Sequence, residues 1–204
     1  MKMNATCADF MRSRLMEFTL EDVRADIVER LRHAAADRHS DMHTPVVATA
    51  DADARVMVLR EFDEENWTLR FHTDARSPKA QVISDGSPVG VLFYDRDAKV
   101  QIRCRGKARI EIVGERADRA WNESAPFARR CYLGAPPGER RDAPTSGLPD
   151  WIEGKKPDEG QLENARCNFA IVLVQIETAD WYYLSSEGHR RAVFDGGHGQ
   201  WLTP

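Results

Sequence analysis

The sequence lacks the features typical of membrane-spanning, secreted and nucleic-acid-binding proteins. None of its 204 residues lies in an apolar stretch approaching the roughly 18 residues of a membrane helix, and the longest apolar run, residues 169–174, suits a buried strand. Charged side chains throughout the first 18 positions exclude the apolar core of a secretory signal. A formal net charge of -4 does not supply the basic surface that general nucleic-acid binding requires. We therefore expect a cytoplasmic protein without membrane or nucleic-acid partners.

Cysteine is also scarce, and its positions form no recognisable pattern. Cys7, Cys104, Cys131 and Cys167 include no CxxC pair and no pairing with histidine. Neither a zinc site nor a disulfide framework is indicated by such spacing. We expect four reduced thiols and no bound metal.

The apolar pattern predicts one helix followed by a long succession of strands. Thr19 and Asp22 provide the capping signal of a helix over residues 19–38, in which apolar residues recur at helical spacing. Beyond Pro45, apolar runs alternate with polar turns, as they do in antiparallel sheets. The predicted strands cover residues 46–50, 55–61, 67–72, 89–94, 100–113, 168–177, 180–185 and 190–195, and further short helices cover residues 77–85 and 115–122.

Proline and glycine are concentrated in residues 134–160, which predicts a long loop that covers a site, contacts a partner or lacks order. No linker divides the chain, so we expect a single domain over residues 1–204. Many antiparallel strands with few helices favour a mainly β fold. The expected architecture is an antiparallel β-barrel with peripheral helices, because closure of a barrel removes exposed strand edges.

The stretch most indicative of ligand binding leads from a predicted strand into a helix. Ser77 and Pro78 are typical of the first positions of a helix, and Thr73, Arg76 and Lys79 lie close to that start. Unpaired backbone N–H groups, two cations and a hydroxyl group together suit a phosphate. The alternative is an ordinary capped helix with solvated charges.

Two predicted strands carry polar residues that can face a ligand. Arg55 and Arg60 bracket the apolar residues 56–59, and their odd spacing directs them to opposite faces unless one lies at a strand end or on a bulge. Gln101 and Arg103 alternate with apolar residues on a later strand, where a glutamine can hydrogen-bond to a flat heterocycle. For both strands, a solvated polar face is the alternative.

Five short motifs follow one another along the chain. The last contains Trp181, His189 and Arg191, which taken singly are also compatible with core, turn and strand positions. The motifs are R-V-M-V-L-R at 55–60, F-H-T-D at 71–74, S-P-K at 77–79, Q-I-R-C-R-G at 101–106 and W-x7-H-x-R at 181–191. In this order, the chain resembles the FMN-binding split barrels of the pyridoxamine 5'-phosphate oxidase-like family from about its first helix to its C-terminus.

The resemblance implies a split β-barrel homodimer that holds FMN between two identical subunits. It implies that residues 55–60 run along the flavin, with Arg60 replacing a usual lysine. It also implies that His72 and Thr73 replace a Tyr-Thr pair that contacts FMN, and that Lys79 binds the phosphate. The candidate cofactor-binding residues are Arg55, Val56, Met57, Val58, Leu59, Arg60, His72, Thr73, Arg76, Ser77, Lys79, Gln101, Arg103, Trp181 and Arg191.

Roles of three further candidates follow from the same resemblance. Gln101 matches a glutamine that contacts the flavin ring, and Trp181 and Arg191 match residues that complete the site from the other subunit. The family often has Arg-Lys where this chain has Pro78-Lys79. Arg76 is predicted to restore the missing charge.

The chain departs from the true oxidases at the substrate site. Trp121, Ala125 and Arg129 occupy the places of the Tyr, Arg and Ser that hold the substrate phosphate in the oxidases. Glu187 begins the segment that replaces their Arg-x-His, and its negative charge disfavours a phosphorylated substrate. The resemblance is therefore to the oxidase-related branch rather than to a typical pyridoxamine phosphate oxidase.

These features predict an FMN-dependent oxidoreductase that acts on an unknown small molecule. The flavin carries the electron chemistry, and Arg60, Arg103 or Arg191 near its N1–C2 carbonyl edge stabilises the anionic reduced form. His189 is the candidate catalytic residue, which orients substrate or exchanges a proton. The alternatives are a non-catalytic flavin- or haem-binding module for cofactor storage or redox sensing, and a cofactor-free barrel that only dimerises.

Overall fold

The computed structural model describes residues 19–83 and 85–204, which form mainly antiparallel strands with a few helices. In chain order the strands are β1 (Val46–Thr49), β2 (Ala54–Val56), β3 (Leu59–Asp63), β4 (Thr68–Asp74), β5 (Ser87–Asp95), β6 (Val100–Glu111), β7 (Phe169–Tyr183), β8 (Arg190–Asp195) and β9 (His198–Leu202). The helices are α1 (Leu20–Ala36), α2 (Pro78–Val82), α3 (Glu115–Glu123), α4 (Pro126–Arg129) and α5 (Glu159–Leu162), with 3-10 turns at Asp41–His43, Arg130–Leu133 and Glu163–Asn168. The predicted mainly β fold is confirmed.

Helix α1 forms where its capping signal predicts it. The Thr19 hydroxyl accepts a hydrogen bond from the Asp22 amide at 3.1 Å, and the Asp22 carboxylate accepts one from the Thr19 amide at 2.9 Å. Val23, Ile27 and Leu31 recur one turn apart and are fully buried. Each such side chain contributes about 1.5–3 kcal/mol of burial free energy, which holds the helix against β3, β8 and β9.

The sheet curls because the two end strands of its hydrogen-bonded path are neighbours in the chain. Its hydrogen-bonded path has the order β2-β1-β5-β6-β7-β4-β3, with β8 and β9 continuing from β7. The end strands β2 and β3 are joined by Met57 and Val58 alone. A sheet with such a short link between its first and last strands has to curl until those edges meet. The result is a half-barrel with one open seam, in agreement with the expected split barrel.

The interior is filled from one face of the curled sheet. Val89, Val91 and Phe93 of β5 alternate with outward-facing residues, and Ile102 and Cys104 of β6 alternate in the same way. Such a period of two is expected when one face of a strand is buried. Burial raises the pKa of the Cys104 thiol to about 12.

A smaller aromatic cluster attaches the helices after β6 to the first half of β7. The ring of Phe169 lies 5.4 Å from that of Trp121 and 5.1 Å from that of Tyr132, measured between centroids. Both arrangements are within the range of favourable aromatic pairs. This cluster fixes Tyr132 at the wall of the site described below.

Three predicted element boundaries were wrong. Residues 55–61 are not one strand, because the chain turns the corner of the barrel at Met57 and Val58. The predicted strands 168–177 and 180–185 are a single strand, β7, because a bulge at Glu177, opposite the Arg105–Gly106 step, absorbs the irregularity. The helix predicted over 77–85 ends at Val82.

The segment rich in proline and glycine, residues 134–160, is largely irregular, and only α5 at its end is helical. It is nevertheless tied to the rest of the chain by side chains. The Gly134 carbonyl accepts a hydrogen bond from Arg76 at 3.0 Å, and the Lys155 carbonyl accepts one from Arg130 at 2.9 Å.

Among the helices of the described residues, none combines the length and the apolar character that a membrane crossing needs.

Candidate functional site

A cavity of about 270 Å³ opens at the seam between β2 and β3, and we call it the seam cavity. Its floor is the corner of the barrel, and its walls come from β4, α2 and the segment that follows α3. Seven of the predicted cofactor-binding residues line it. The full lining is Val56, Met57, Val58, Arg60, His72, Thr73, Lys79, Ser124, Ala128, Cys131 and Tyr132.

Arg60 reaches the seam cavity because it lies on a β-bulge. Leu59 pairs with Phe71 and Glu61 pairs with Arg70, so Arg60 has no partner in the ladder. Arg55 and Arg60 are an odd number of residues apart, so they can face the same ligand only if one lies at a strand end or on a bulge. The bulge at Arg60 meets this condition. Leu59, in contrast, is fully buried in the core. Within the described residues, the Arg60 guanidinium makes no ion pair.

Two hydroxyl groups and one ammonium group gather at the start of α2. Thr73 is 4% exposed and Ser77 is fully buried, with their hydroxyl oxygens 3.3 Å apart. Lys79 is half-buried one turn further, where burial and the nearby Arg55 lower its pKa. The lowered pKa means that burial makes the charged form of Lys79 less favourable. An anionic ligand would offset this cost, and the two hydroxyl groups would add hydrogen-bond donors.

Arg55 and Arg76 flank the seam cavity, but their side chains bind elsewhere. Arg55 donates to the Thr49 hydroxyl at 2.9 Å and pairs with Asp53. Arg76 donates to both carboxylate oxygens of Asp74, at 3.0 and 2.7 Å, and this pairing raises its pKa. The predicted role of Arg76 at a phosphate stays a prediction.

His72 lies on the inner wall of the seam cavity, half-buried between a cation and an aromatic ring. Its Nε2 atom is 3.1 Å from Nη1 of Arg70, and its ring centroid is 4.9 Å from that of Phe169. Burial, reinforced by the positive charges of Arg70 and Arg60, lowers the pKa of His72 to about 3. The imidazole is therefore neutral at physiological pH.

The remaining polar candidates form a second group, the sheet-face cluster, which consists of Arg103, Asp180 and Arg191. Asp180 is 7% exposed and accepts hydrogen bonds from Arg191 at 3.1 and 2.8 Å and from Arg103. Burial opposes its ionisation, but hydrogen bonds from both arginines lower its pKa. Gln101 lies beside this cluster, between Tyr94 and Tyr182 of the neighbouring strands.

Trp181 and His189 differ in their surroundings. Trp181 is 2% exposed, and its indole N–H donates to Asp26 of α1 at 2.8 Å. This places it in the core, where it attaches α1 to the sheet. His189 is exposed, and its ring centroid lies 5.6 Å from that of Tyr182, near the sheet-face cluster. The predicted cofactor role of Trp181 and catalytic role of His189 stay predictions.

The seam cavity and the sheet-face cluster lie at different places on the sheet of one subunit. Thr73 pairs with Ala170 of β7, and Asp180 follows ten positions later on the same strand. At about 3.3 Å per residue, Thr73 and Asp180 are roughly 30 Å apart along this strand, whereas Val56 at the rim of the seam cavity is in register, through Val46 and Leu92, with Arg103. The predicted cofactor residues therefore form two separate groups in each chain.

Several residues of the site were not predicted from the sequence. Ser124, Ala128, Cys131 and Tyr132 line the seam cavity but belong to a segment without a distinctive motif. Arg70 had a usable signal, because it alternates with the buried residues of β4 and so shares a face with His72. Asp180 had no usable sequence signal, since its contacts with Arg103 and Arg191 depend on the strand register.

Solved structures of known proteins define the class of this barrel. A pyridoxamine 5'-phosphate oxidase-related, FMN-binding protein from Nostoc punctiforme superimposes with a TM-score of 0.69 at 22% identity, covering 89% of this chain and 97% of that chain. PhzG from Burkholderia lata, in complex with tetrahydrophenazine-1-carboxylic acid, has a TM-score of 0.58 at 17% identity and covers 89% and 92%. At these identities the likeness establishes the fold, a split barrel of the oxidase-like class.

Sequence comparison shows which family this chain resembles. The profile described as pyridoxamine 5'-phosphate oxidase, FMN-binding domain, matches residues 21–112. A pyridoxine/pyridoxamine 5'-phosphate oxidase from Caulobacter vibrioides is 28% identical over 197 residues, covering 90% of this chain and 83% of the relative. Over residues 21–112 the chain is therefore similar to the FMN-binding domain of this family. FMN is the cofactor that a match to this domain implies.

The donor groups of the seam cavity fit FMN. Thr73 and Lys79 offer a hydroxyl and an ammonium donor for a phosphate monoester, as anion binding requires, while Ser77 lies fully buried behind Thr73. Met57 and Val58 offer an apolar surface for a flat ring, and Arg60 adds a cation that has no ion-pair partner among the described residues. FMN combines the same three chemistries, an anionic tail, an apolar ring and polar ring edges.

Proposed function

We propose that this chain is an FMN-dependent oxidoreductase that acts on a small molecule and holds FMN between two identical subunits. The observation that carries the proposal is the seam cavity, where Thr73 and Lys79 lie at one wall and Arg60 projects from a bulge. FMN supplies the electron transfer when bound. The protein's own part is to hold the phosphate at Thr73 and Lys79, and to stabilise negative charge near Arg60.

The size of the seam cavity supports a site shared between two subunits. Small-molecule sites usually have volumes of about 300–1,000 Å³, and the seam cavity has about 270 Å³. One subunit therefore supplies only part of the enclosure. Family members are commonly dimeric.

The outer face of the sheet offers a surface for the second subunit. Val56 is 63% exposed, Leu92 38% and Tyr94 44%, although all three are large and apolar. Leu92 and Arg103 are register partners, so this apolar surface continues into the sheet-face cluster. In the proposed dimer, the sheet-face cluster of one subunit completes the seam cavity of the other.

The surroundings of Arg129 support a substrate other than pyridoxamine or pyridoxine phosphate. Arg129 is 5% exposed, donates to Glu159 at 3.0 and 2.6 Å, and lies over the Trp121 ring. Glu159 engages both terminal nitrogens of this guanidinium, and the remaining Nε is buried without a partner among the described residues, so no exposed donor is left for a substrate phosphate. We propose a small-molecule substrate without that phosphate requirement, with His189 as the candidate residue that orients it or exchanges a proton.

Titration of the purified protein with FMN tests the cofactor site. We expect Lys79→Gln to raise the FMN dissociation constant by roughly 10–100-fold, because it removes a charge-assisted hydrogen bond worth about 1.5–3 kcal/mol. Thr73→Val should give a smaller increase, of about three- to tenfold. Lys107→Gln is the control, since Lys107 is exposed and pairs only with Glu177 on the surface. Equal affinities in all variants would contradict the proposed phosphate site.

Reduction of the bound flavin tests the activity. We expect a yellow protein whose absorption is bleached by a reductant, restored by air and bleached again by at least one compound of a substrate panel. Bleaching by chemical reductant alone supports the non-catalytic flavin module. A single intense Soret band supports the haem alternative, and no chromophore after added FMN supports a cofactor-free barrel.

A further inference from the structure

We propose that His72 is a positioning residue for FMN: Arg70 fixes its tautomer, and its neutral imidazole donates a hydrogen bond from Nδ1 to an oxygen atom of the cofactor. The inference rests on the FMN site proposed above. It concerns a residue at which this chain departs from the Tyr-Thr pair of the related proteins. Its basis is the geometry around the ring.

The tautomer follows from the hydrogen bond between Arg70 and His72. A guanidinium group has only donors, so Nη1 of Arg70 donates and Nε2 of His72, 3.1 Å away, accepts. In a neutral imidazole the other nitrogen then carries the proton. Arg70 is itself held by Glu61, at 2.7 Å from Nε and 2.6 Å from Nη2, and its side chain is only 13% exposed.

The groups around the ring keep it neutral. Arg70 and Arg60 place positive charge beside it, and Phe169 covers it from β7 with its ring at 4.9 Å. The residues lining the seam cavity include no carboxylate that would stabilise an imidazolium ion. Glu61 and Glu123 lie beyond Arg70, at 2.6 and 3.8 Å from its guanidinium. The other titratable groups facing the cavity are Lys79 from α2, and Cys131 and Tyr132 from the turn after α4.

The Nδ1–H group is the available donor. Within the described residues it has no hydrogen-bond partner, although the ring is half-buried in the wall of the seam cavity. A donor of this kind in the wall of a cavity is free to donate to an acceptor on a bound ligand. Thr73, the next residue along β4, lines the same cavity at the proposed phosphate site. FMN bound at the proposed site would bring oxygen atoms of the cofactor to the cavity that both residues line.

Nuclear magnetic resonance of protein labelled with 15N-histidine tests the tautomer directly. We expect His72 to have a protonated Nδ1 and an unprotonated Nε2 from pH 5 to pH 8. Arg70→Met should produce a mixture of the two tautomers, because the donor that selects one of them is lost. A protonated Nε2 in the unmodified protein, or an imidazolium ion at pH 6, overturns the inference.

FMN affinity tests the donated hydrogen bond. We expect His72→Phe, which keeps an aromatic ring without a donor, to raise the FMN dissociation constant by about three- to tenfold. His72→Asn, whose amide replaces the Nδ1–H donor, should recover most of this loss. The ratio between variant and unmodified protein should be constant from pH 5 to pH 8, because His72 does not titrate there.

The outcomes separate this inference from the proposed function. Tight FMN binding by both the unmodified protein and His72→Phe overturns the role of His72 and leaves the proposed function intact. Failure of the unmodified protein to bind FMN overturns both. Circular dichroism of each variant establishes that it is folded, and Arg70→Met tests the tautomer without any change to His72 itself.

Discussion

At the scale of single residues, His72 makes the stability of the protein depend on pH. Its pKa is about 3 in the folded chain, against an ordinary value of 6.5. Between these two values the unfolded chain binds more protons, so the free energy of unfolding falls as the pH falls below 6.5. The slope attributable to this group approaches about 1.4 kcal/mol for each pH unit.

Urea unfolding at pH 7.5 and pH 5.0 measures this dependence. We expect the unmodified protein to lose roughly 2 kcal/mol more than His72→Phe over this interval, because the variant lacks the titrating group. Other histidines titrate equally in both proteins and cancel in the comparison. Parallel losses in the two proteins would contradict a neutral, buried His72.

Local signals predicted the start of α2 at Pro78, because a helix start depends only on neighbouring residues. The cofactor roles of Thr73, Ser77 and Lys79 stay predictions. The contacts of Asp180 were not predicted, because they depend on which residues lie opposite one another in β6, β7 and β8. Strand register is set by the whole sheet rather than by a short stretch of sequence.

At the scale of elements, Gly106 allows β6 and β7 to approach at the bulge. A Cβ atom at this position would lie 1.9 Å from the Gln175 carbonyl oxygen and 2.8 Å from its carbon, both backbone atoms. The backbone has to move to accept any side chain. We expect Gly106→Ala to lower the free energy of unfolding by at least about 1–3 kcal/mol, measured by urea unfolding.

Gly160→Ala is the matched control for this substitution. Gly160 lies in α5, where the nearest atom to a new Cβ is Asp158 Oδ1 at the ordinary distance of 3.5 Å. Alanine is about 1 kcal/mol more favourable than glycine inside a helix, so the control should be neutral or stabilising. A neutral Gly106→Ala would mean that the strands do not approach as described.

Arg76 links β4 to the irregular segment 134–160. It donates to the buried Asp74 and to the Gly134 carbonyl, so its loss leaves a carboxylate unpaired and releases the start of that segment. We expect Arg76→Ala to lower the free energy of unfolding by about 1–3 kcal/mol and to speed proteolysis within the segment. Arg141→Ala, which removes an exposed pair with Glu139, should do neither.

The same variant decides how Arg76 affects the cofactor. Weaker FMN binding with unchanged proteolysis supports the direct phosphate contact predicted from the sequence. Faster proteolysis with unchanged FMN affinity supports a purely structural role, in line with the bonds to Asp74 and Gly134.

The elements themselves were predicted unevenly, for physical reasons. Helix α1 has both a capping box and helical apolar spacing, and it was predicted nearly in full. The corner at Met57 and Val58 was missed, because an unbroken apolar run gives no local sign of a turn. That corner is imposed by closure of the sheet, which involves β2 and β3 at opposite ends of its path.

At the scale of the whole molecule, the proposed dimer can be tested through the sheet face. Leu92 is 38% exposed and lies opposite Arg103 in the register of β5 and β6. We expect Leu92→Arg to convert the dimer largely to monomer in light scattering at micromolar concentration, because it brings a buried, like charge to the interface. FMN affinity should fall at least tenfold in parallel, since the shared site is lost.

Val113→Arg is the control for added surface charge. Val113 is 80% exposed and follows the end of β6 that is remote from the turn joining β5 and β6. We expect it to remain dimeric with unchanged FMN affinity. A monomeric unmodified protein that binds FMN at full affinity would contradict the shared site.

The open seam between β2 and β3 lets a bound cofactor affect the stability of the barrel itself. In the strand pairing of the described residues, β2 and β3 are not hydrogen-bonded to each other, and Val58 belongs to neither strand. In the proposed complex, FMN between these two edges would bridge the gap that the described strands β2 and β3 leave open. In heavy water, the amide of Val58 should exchange rapidly without FMN and slowly once FMN is bound, whereas the amide of Met57, which donates to the Pro45 carbonyl at 3.0 Å, should be protected in both states.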